Sequence, residues 1–327
     1  MLYDNHNRTI NYLRLAVTDR CNLRCFYCMP ENGIQYVPQK ELLSYEEMLR
    51  LAHLLASMGI SKIRITGGEP FIRKDMFYFL RDLTKIKGIE QVHVTTNGTM
   101  TESLIPKLQE IGIRSVNLSL DTLDEQRFFE ITRRNVFSQV MQTLDALVES
   151  GLPTKINMVV MQQHNIQDII PMVELGKKYP INIRFIEEMP FNGTSRHEQI
   201  DWNYKKILSH IQSVYPNIHK LQDPKFSTSY NYQIKGFRGT FGIIAAYSRT
   251  FCGTCNRIRL TPKGMLKTCL YDDGVFNIKD IMRAGASDAQ IQQTFLDALG
   301  NRAKNGHEAE QNRRFGGIGE SMSTIGG

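Results

Sequence analysis

From Asn11 to Ile186 the chain repeats one unit: a short apolar run rich in β-branched residues, a turn, and a segment of helical period. The strand candidates are residues 11–17, 62–66, 92–96, 115–120, 154–161 and 181–186. Between the first two, Ser44 and Glu47 form a capping box, Met48, Leu51, Ala52 and Leu55 share one helix face, and Gly59 is the stop. Further helices are expected from Thr101 to Gly112, over 138–150 and over 165–178. Strands alternating with helices need a parallel sheet, and right-handed crossovers curl it. The rhythm therefore predicts an α/β fold, an incomplete (β/α)6 TIM-like barrel, although periodicity alone does not separate six strands from eight. Near residue 191 the rhythm breaks. We expect residues 1–220 to form the barrel and 221–327 a smaller C-terminal α+β domain. A helix over 202–214 and short strands at 232–235, 241–246, 258–260 and 265–267 follow the break, the last two pairing across Thr261–Gly264.

In barrels and open α/β sheets alike, chemistry gathers at the C-terminal ends of the strands. The first strand delivers the chain to Cys21, Cys25 and Cys28, and the other ends carry Gly68, Thr95, Ser119 and Met189. Three thiolates spaced x3 then x2 suit one inorganic centre. A 4Fe-4S cluster held by three cysteines keeps one iron open, whereas clusters used only for electron transfer normally take four. A zinc knuckle or redox thiols also fit short spacings. The remaining cysteines form a second triplet, Cys252, Cys255 and Cys269, again without a fourth cysteine or a nearby histidine. This favours a second iron-sulfur cluster over a structural zinc site, which wants four ligands. Grouped triplets in a long chain suit metal centres better than a disulfide scaffold.

Arg257 and Arg259 follow Cys255 at strand spacing and share a face, a pair of planar forks suited to phosphate oxygens. Gly67-Gly68-Glu69-Pro70 closes the second strand; paired glycines there permit close backbone approach to a ligand, or make a bare turn. The net charge of +7 favours an anionic partner. The basic residues are scattered, with no Lys/Arg run longer than a pair, so a small polyanion fits better than nucleic acid. No apolar run nears the roughly 20 residues of a membrane span and no secretory signal opens the chain, so a cytoplasmic protein is expected. Gly-x-Gly-x-x-Gly, Walker A and His-Glu-x-x-His motifs are missing.

The pattern Cys-x3-Cys-x2-Cys, with Tyr27 before the last cysteine, resembles the radical S-adenosylmethionine (SAM) superfamily. The tract from Phe251 to Thr261, followed by Gly264 and Cys269-Leu270, is similar to the second cluster motif of the GTP 3′,8-cyclase family, which opens molybdenum cofactor biosynthesis. The likeness extends to Asp19-Arg20-Cys21-Asn22, Thr66 to Pro70, Thr95 to Gly98, Asn117 to Asp121, Arg184 to Glu187 and the terminal Gly326-Gly327.

The resemblance implies two 4Fe-4S clusters facing each other across an open barrel, with SAM at the first and GTP at the second. It carries SAM contacts to Tyr27, Gly68, Glu69, Ser119 and Met189. GTP contacts fall on Arg14, Arg64, Thr95, Lys155, Arg257, Ile258 and Arg259, and the Gly326-Gly327 tail reaches toward the site. The implied reaction begins with removal of the ribose 3′ hydrogen by a 5′-deoxyadenosyl radical. Closure onto guanine carbon 8 then gives 3′,8-cyclo-7,8-dihydro-GTP, with no side chain as acid or base. Implied partners are an electron donor, a downstream cyclic pyranopterin monophosphate synthase and a second copy in a homodimer. Two other readings remain at this stage: a radical SAM enzyme acting on a peptide, and a non-catalytic module that binds zinc and nucleic acid.

Overall fold

The structure, a computed structural model, describes residues 1–30, 33–189, 201–313 and 321–326. The strands expected from the rhythm all form: β1 (Tyr12–Ala16), β2 (Lys62–Thr66), β3 (Gln91–Thr96), β4 (Ser115–Ser119), β5 (Thr154–Val160) and β6 (Asn182–Glu187). Each pairs in parallel with the next. The crossovers contain α1 (Tyr45–Met58), α2 (Met76–Thr84), α3 (Ile105–Glu110), α4 (Glu125–Thr132) with α5 (Phe137–Ser150), and α6 (Ile169–Lys178). The capping box at Ser44 and Glu47 is present, and Gly59 closes α1 with a left-handed φ of 112°.

β5 shows how the sheet reads. Thr154, Ile156, Met158 and Val160 are buried toward the helices, whereas Lys155, Asn157 and Val159 face a cavity on the other side. Leu13 and Leu15 of β1 and Ile63 and Ile65 of β2 join the same core under α1, with Met48, Leu51 and Leu55 packed against them. The apolar alternation of a half-buried strand is thus turned outward, and the polar half lines the barrel interior.

The later chain adds α7 (Tyr204–Val214), β7 (Ile218–Lys220), β8 (Ser229–Ile234), β9 (Thr240–Ile244), β10 (Arg257–Leu260), β11 (Met265–Lys267) and β12 (Phe276–Asn277). Four helices follow: α8 (Ile278–Arg283), α9 (Asp288–Gly300), α10 (Gly306–Gln311) and α11 (Met322–Ile325). The later strands join the barrel sheet instead of forming their own. β9 lies parallel beside β6, β10 lies parallel beside β1, and the order is β12-β11-β10-β1-β2-β3-β4-β5-β6-β9-β8-β7 in one 12-stranded sheet. The barrel is open, with its two ends unjoined. Among the described residues no helix is long and apolar enough to cross a membrane.

Candidate active site between two cysteine triplets

All six cysteines are free thiols and line one cavity of about 480 Å³ inside the barrel, within the range of small-molecule sites. The first triplet lies on the loop after β1, held from two sides. Arg24 and Phe26 donate backbone N–H groups to Thr132 and Ile131 at the end of α4, at 2.9 and 3.2 Å. Asn97, after β3, donates through Nδ2 to Asn22 Oδ1 at 2.8 Å and to Cys21 Sγ at 3.6 Å.

Gly67 and Gly68 are needed for this loop. A Cβ on Gly68 would stand 2.2 Å from the Arg20 carbonyl oxygen, and one on Gly67 2.5 Å from that of Thr18. The backbone they approach is the cysteine loop itself, to which Gly68 N–H bonds at 2.8 Å through Thr18 O. Glu69 is fully buried, and its carboxylate accepts from Phe71 N, Thr96 Oγ1 and Asn97 N. It ties the end of β2 to that of β3 and does not line the cavity.

Burial pushes the Cys21 thiol up to about 11 and Cys28 to about 12. Cys25 rises well above its usual range, by burial first and then by Cys28, Asp121 and Cys21. Cys21 also raises Cys28, so the thiols converge on one place, and a positively charged centre suits them as thiolates. Tyr27 donates its hydroxyl to Asp121 Oδ2 at 2.7 Å. Ser119 lines the cavity nearby, and Met189 accepts from Tyr271 Oη at 3.2 Å, close to Cys269.

The second triplet lies across the cavity. Burial pushes Cys269 up to about 11. For Cys255 burial also works upward, but Arg257 and Arg302 outweigh it and bring the thiol down to about 6. Among the described residues no three His, Cys, Asp or Glu groups are arranged to hold a single metal ion. A cube-shaped cluster spreads its thiolates over separate irons and so needs a wider seat than tetrahedral zinc.

Between the triplets runs a row of like charges. Arg259, Arg14 and Arg64 stand opposite one another on β10, β1 and β2, and one step back the row is Arg257, Tyr12 and Lys62. Directly opposed cations destabilise a sheet unless an anion joins them. Burial and then Arg259 hold Arg14 well below its usual range. Burial and then Arg257 bring Arg259 to about 10; burial and then Arg64 do the same for Arg184. Lys155 falls to about 7 through burial and then Arg184. Tyr12, whose hydroxyl accepts from Arg64 Nε at 2.7 Å, is raised by burial but lowered more by Arg64 and Arg14, to about 7. Thr95 accepts from Arg64 Nη1 at 3.4 Å. Ile258 points the other way, into the core.

Residues 15–176 match the Radical SAM superfamily and residues 181–308 match Molybdenum Cofactor Synthesis C. The GTP 3′,8-cyclase of Syntrophomonas wolfei is 38% identical over 305 residues, covering 91% of this chain and 92% of the relative. The chain belongs to the GTP 3′,8-cyclase family of radical SAM enzymes. The mitochondrial GTP 3′,8-cyclase of Arabidopsis thaliana is 39% identical, over 94% of this chain and 79% of its own. Molybdenum cofactor biosynthesis protein 1 of Bos taurus is 40% identical over 93% of this chain, which spans 48% of that relative. The chain thus covers about half the length of the animal proteins it matches. The crystal structure of SuiB from Streptococcus suis superposes with a TM-score of 0.64 at 15% identity, over 94% of this chain and 70% of that one, a likeness of fold.

GTP 3′,8-cyclases work with SAM and two 4Fe-4S clusters, and the two thiol triplets fit that pair. The structure brings the cysteines, Tyr27, Gly68, Ser119, Met189, Arg14, Arg64, Thr95, Lys155, Arg257 and Arg259 to one cavity. Gly326 enters the barrel as well, and Gly327 lies outside the described residues. Sequence reasoning missed Tyr12, Lys62, Asn117, Asn157 and Arg184 on the same interior wall. Strand alternation is the signal that could have found them, since Lys62 precedes Arg64 by two and Asn157 follows Lys155 by two.

Proposed function

We propose that this chain converts GTP to 3′,8-cyclo-7,8-dihydro-GTP, the opening step of molybdenum cofactor biosynthesis, with one cluster on Cys21, Cys25 and Cys28 and another on Cys252, Cys255 and Cys269. The observation that carries the reading is the opposed row Arg259, Arg14 and Arg64, with Lys155 and Arg184 on the same wall, set between two thiol triplets. A triphosphate suits such a row of cations, through forked guanidinium bonds.

When bound, the reduced first cluster and SAM supply the 5′-deoxyadenosyl radical that takes the ribose 3′ hydrogen. The chain's own residues do the placing. Tyr27, Gly68, Ser119 and Met189 border SAM, and Arg14, Arg64, Thr95, Lys155, Arg257 and Arg259 hold the nucleotide. The barrel wall keeps water and stray hydrogen donors from the open-shell sugar, which is where positioning contributes most. Ring closure onto carbon 8 and uptake of one electron and one proton complete an isomer of GTP.

Anaerobic reconstitution with iron and sulfide, then reduction with SAM and GTP, tests this. 5′-Deoxyadenosine formed together with a product of unchanged GTP mass is expected. Reductive SAM cleavage indifferent to GTP would refute the assignment of substrate.

A further inference from the structure

The outer side of the second triplet is closed by residues that the barrel rim does not include. Asp4 sits between two short paired strands, Leu2–Tyr3 and Thr9–Ile10. Its Oδ1 accepts the His6 and Arg8 N–H groups at 2.9 and 3.0 Å. Its Oδ2 accepts Arg8 Nε at 2.6 Å and Arg302 Nη1 at 3.0 Å. The side chains of Asp4 and Arg302 are 0% and 3% exposed.

The two guanidiniums then divide the cysteine-bearing segments between them. Arg8 Nη1 donates to the Cys252 carbonyl at 3.2 Å. Arg302 donates through Nη1 to the Cys255 carbonyl at 3.1 Å and through Nε to the Thr268 carbonyl, beside Cys269, at 3.0 Å. Its Nη2 reaches the Arg257 carbonyl at 3.0 Å and Cys255 Sγ at 3.3 Å.

Two buried cations on one carboxylate leave an excess positive charge beside Cys252 and Cys255, while at Cys269 the Asp272 carboxylate accepts the backbone N–H at 2.8 Å. Burying charge costs several kcal/mol unless it is answered, and the carbonyls answer only part of it. A thiolate-bound iron-sulfur cluster carries negative charge, and hydrogen bonds to its sulfurs raise its reduction potential. We propose that Arg302, fixed by Asp4, is a positioning residue of the second cluster: it sets Cys255 and Cys269 relative to each other and raises the cluster's potential through its charge and its N–H···S bond. The inference rests on the second triplet holding a cluster.

The test is a redox titration of the full reconstituted chain, followed by electron paramagnetic resonance. The signal unmoved by SAM belongs to the second cluster. In Arg302→Gln that cluster's midpoint shifts to more negative potential, and Arg302→Lys restores part of the shift. In Asp4→Asn, where the guanidinium charge stays and the opposing carboxylate is gone, the midpoint shifts to more positive potential. A purely structural role predicts no such opposition of sign, so equal midpoints, or shifts in one direction only, overturn the proposal. If Arg302→Gln does not retain the cluster, Arg302→Lys, which keeps the charge but not the forked contacts, decides: a midpoint equal to wild type in that variant overturns the proposal. Wild-type protein carrying one cluster's iron would overturn the two-cluster reading and this inference together, whereas two clusters with unmoved midpoints overturn only the inference.

Discussion

Arg259 donates through Nη1 to the carbonyl oxygen of Gly326 at 2.7 Å inside the barrel. One of the cations facing the cavity is therefore aimed by the tail. Gly326 has a φ of 77°, and a Cβ there would stand 2.9 Å from Thr66 Cγ2 and 3.0 Å from Ala16 Cβ. The same tail donates from Ser321 Oγ to the Cys28 carbonyl at 2.6 Å, so it touches the first cysteine loop and the arginine row at once.

Gly326→Ala should uncouple the two halves of the reaction. The strained backbone and crowded Cβ displace the carbonyl from Arg259, and losing a bond to a charged group costs about 1.5–3 kcal/mol. We expect product formation to fall by roughly tenfold or more, while iron content and reductive SAM cleavage stay near wild type. Equal turnover in the variant would remove the tail from the mechanism.

The opposed arginines make the empty barrel strained by charge and the loaded one relieved of it. GTP should raise the melting temperature more than guanosine at equal concentration, since only the triphosphate answers the row. Arg64→Gln should narrow that difference. A thermal shift series with both nucleotides reads it directly.

Lys155, held at about 7, and Tyr12, also at about 7, give the site a pH dependence of definite sign. Above pH 7 the empty protein has lost protons from both groups, and an arriving polyanion raises both affinities for a proton. Binding of GTP near pH 8 should therefore take up protons, and affinity should fall as pH rises from 7 to 9. Titration calorimetry in buffers of different ionisation heat measures the uptake; Lys155→Met should reduce it.

The triplets should be separable. Cys255→Ala is expected to lose roughly half the iron and the stimulation of SAM cleavage by GTP yet keep the basal reductive cleavage, whereas Cys25→Ala should lose both roughly half the iron and all of that cleavage. Iron analysis with 5′-deoxyadenosine quantification checks both.

Much of the barrel was legible because its strands end in turn residues and its helices carry caps: Ser44 with Glu47 before α1, and Gly151 after α5 with φ 69°. α2 escaped notice because Asp75, at its start, sits at φ 62° and makes no side-chain cap bond. α9 carries as plain a local signal as α1, a full capping box at Ser287 and Gln290. Among site residues, the cysteines and paired arginines announced themselves by spacing. Glu69 did not, for its strand-end motif says nothing about a carboxylate turned inward onto Thr96 and Asn97. Contacts such as Asp4 to Arg302 join remote parts of the chain and leave no local pattern. The placement of β10 beside β1 and β9 beside β6, on opposite flanks of the six barrel strands, is equally non-local.

That remoteness also orders assembly. The first triplet lies on one loop, whereas the second seat is complete only when Asp4, Arg8 and Arg302 have met around Cys252, Cys255 and Cys269. Closing so long a stretch of chain is slow compared with forming a local turn. The three first thiols arrive together on one loop of eight residues, whereas the second three reach their places only when both ends of the chain have met around them, so damage at either end of the chain falls on the second seat first.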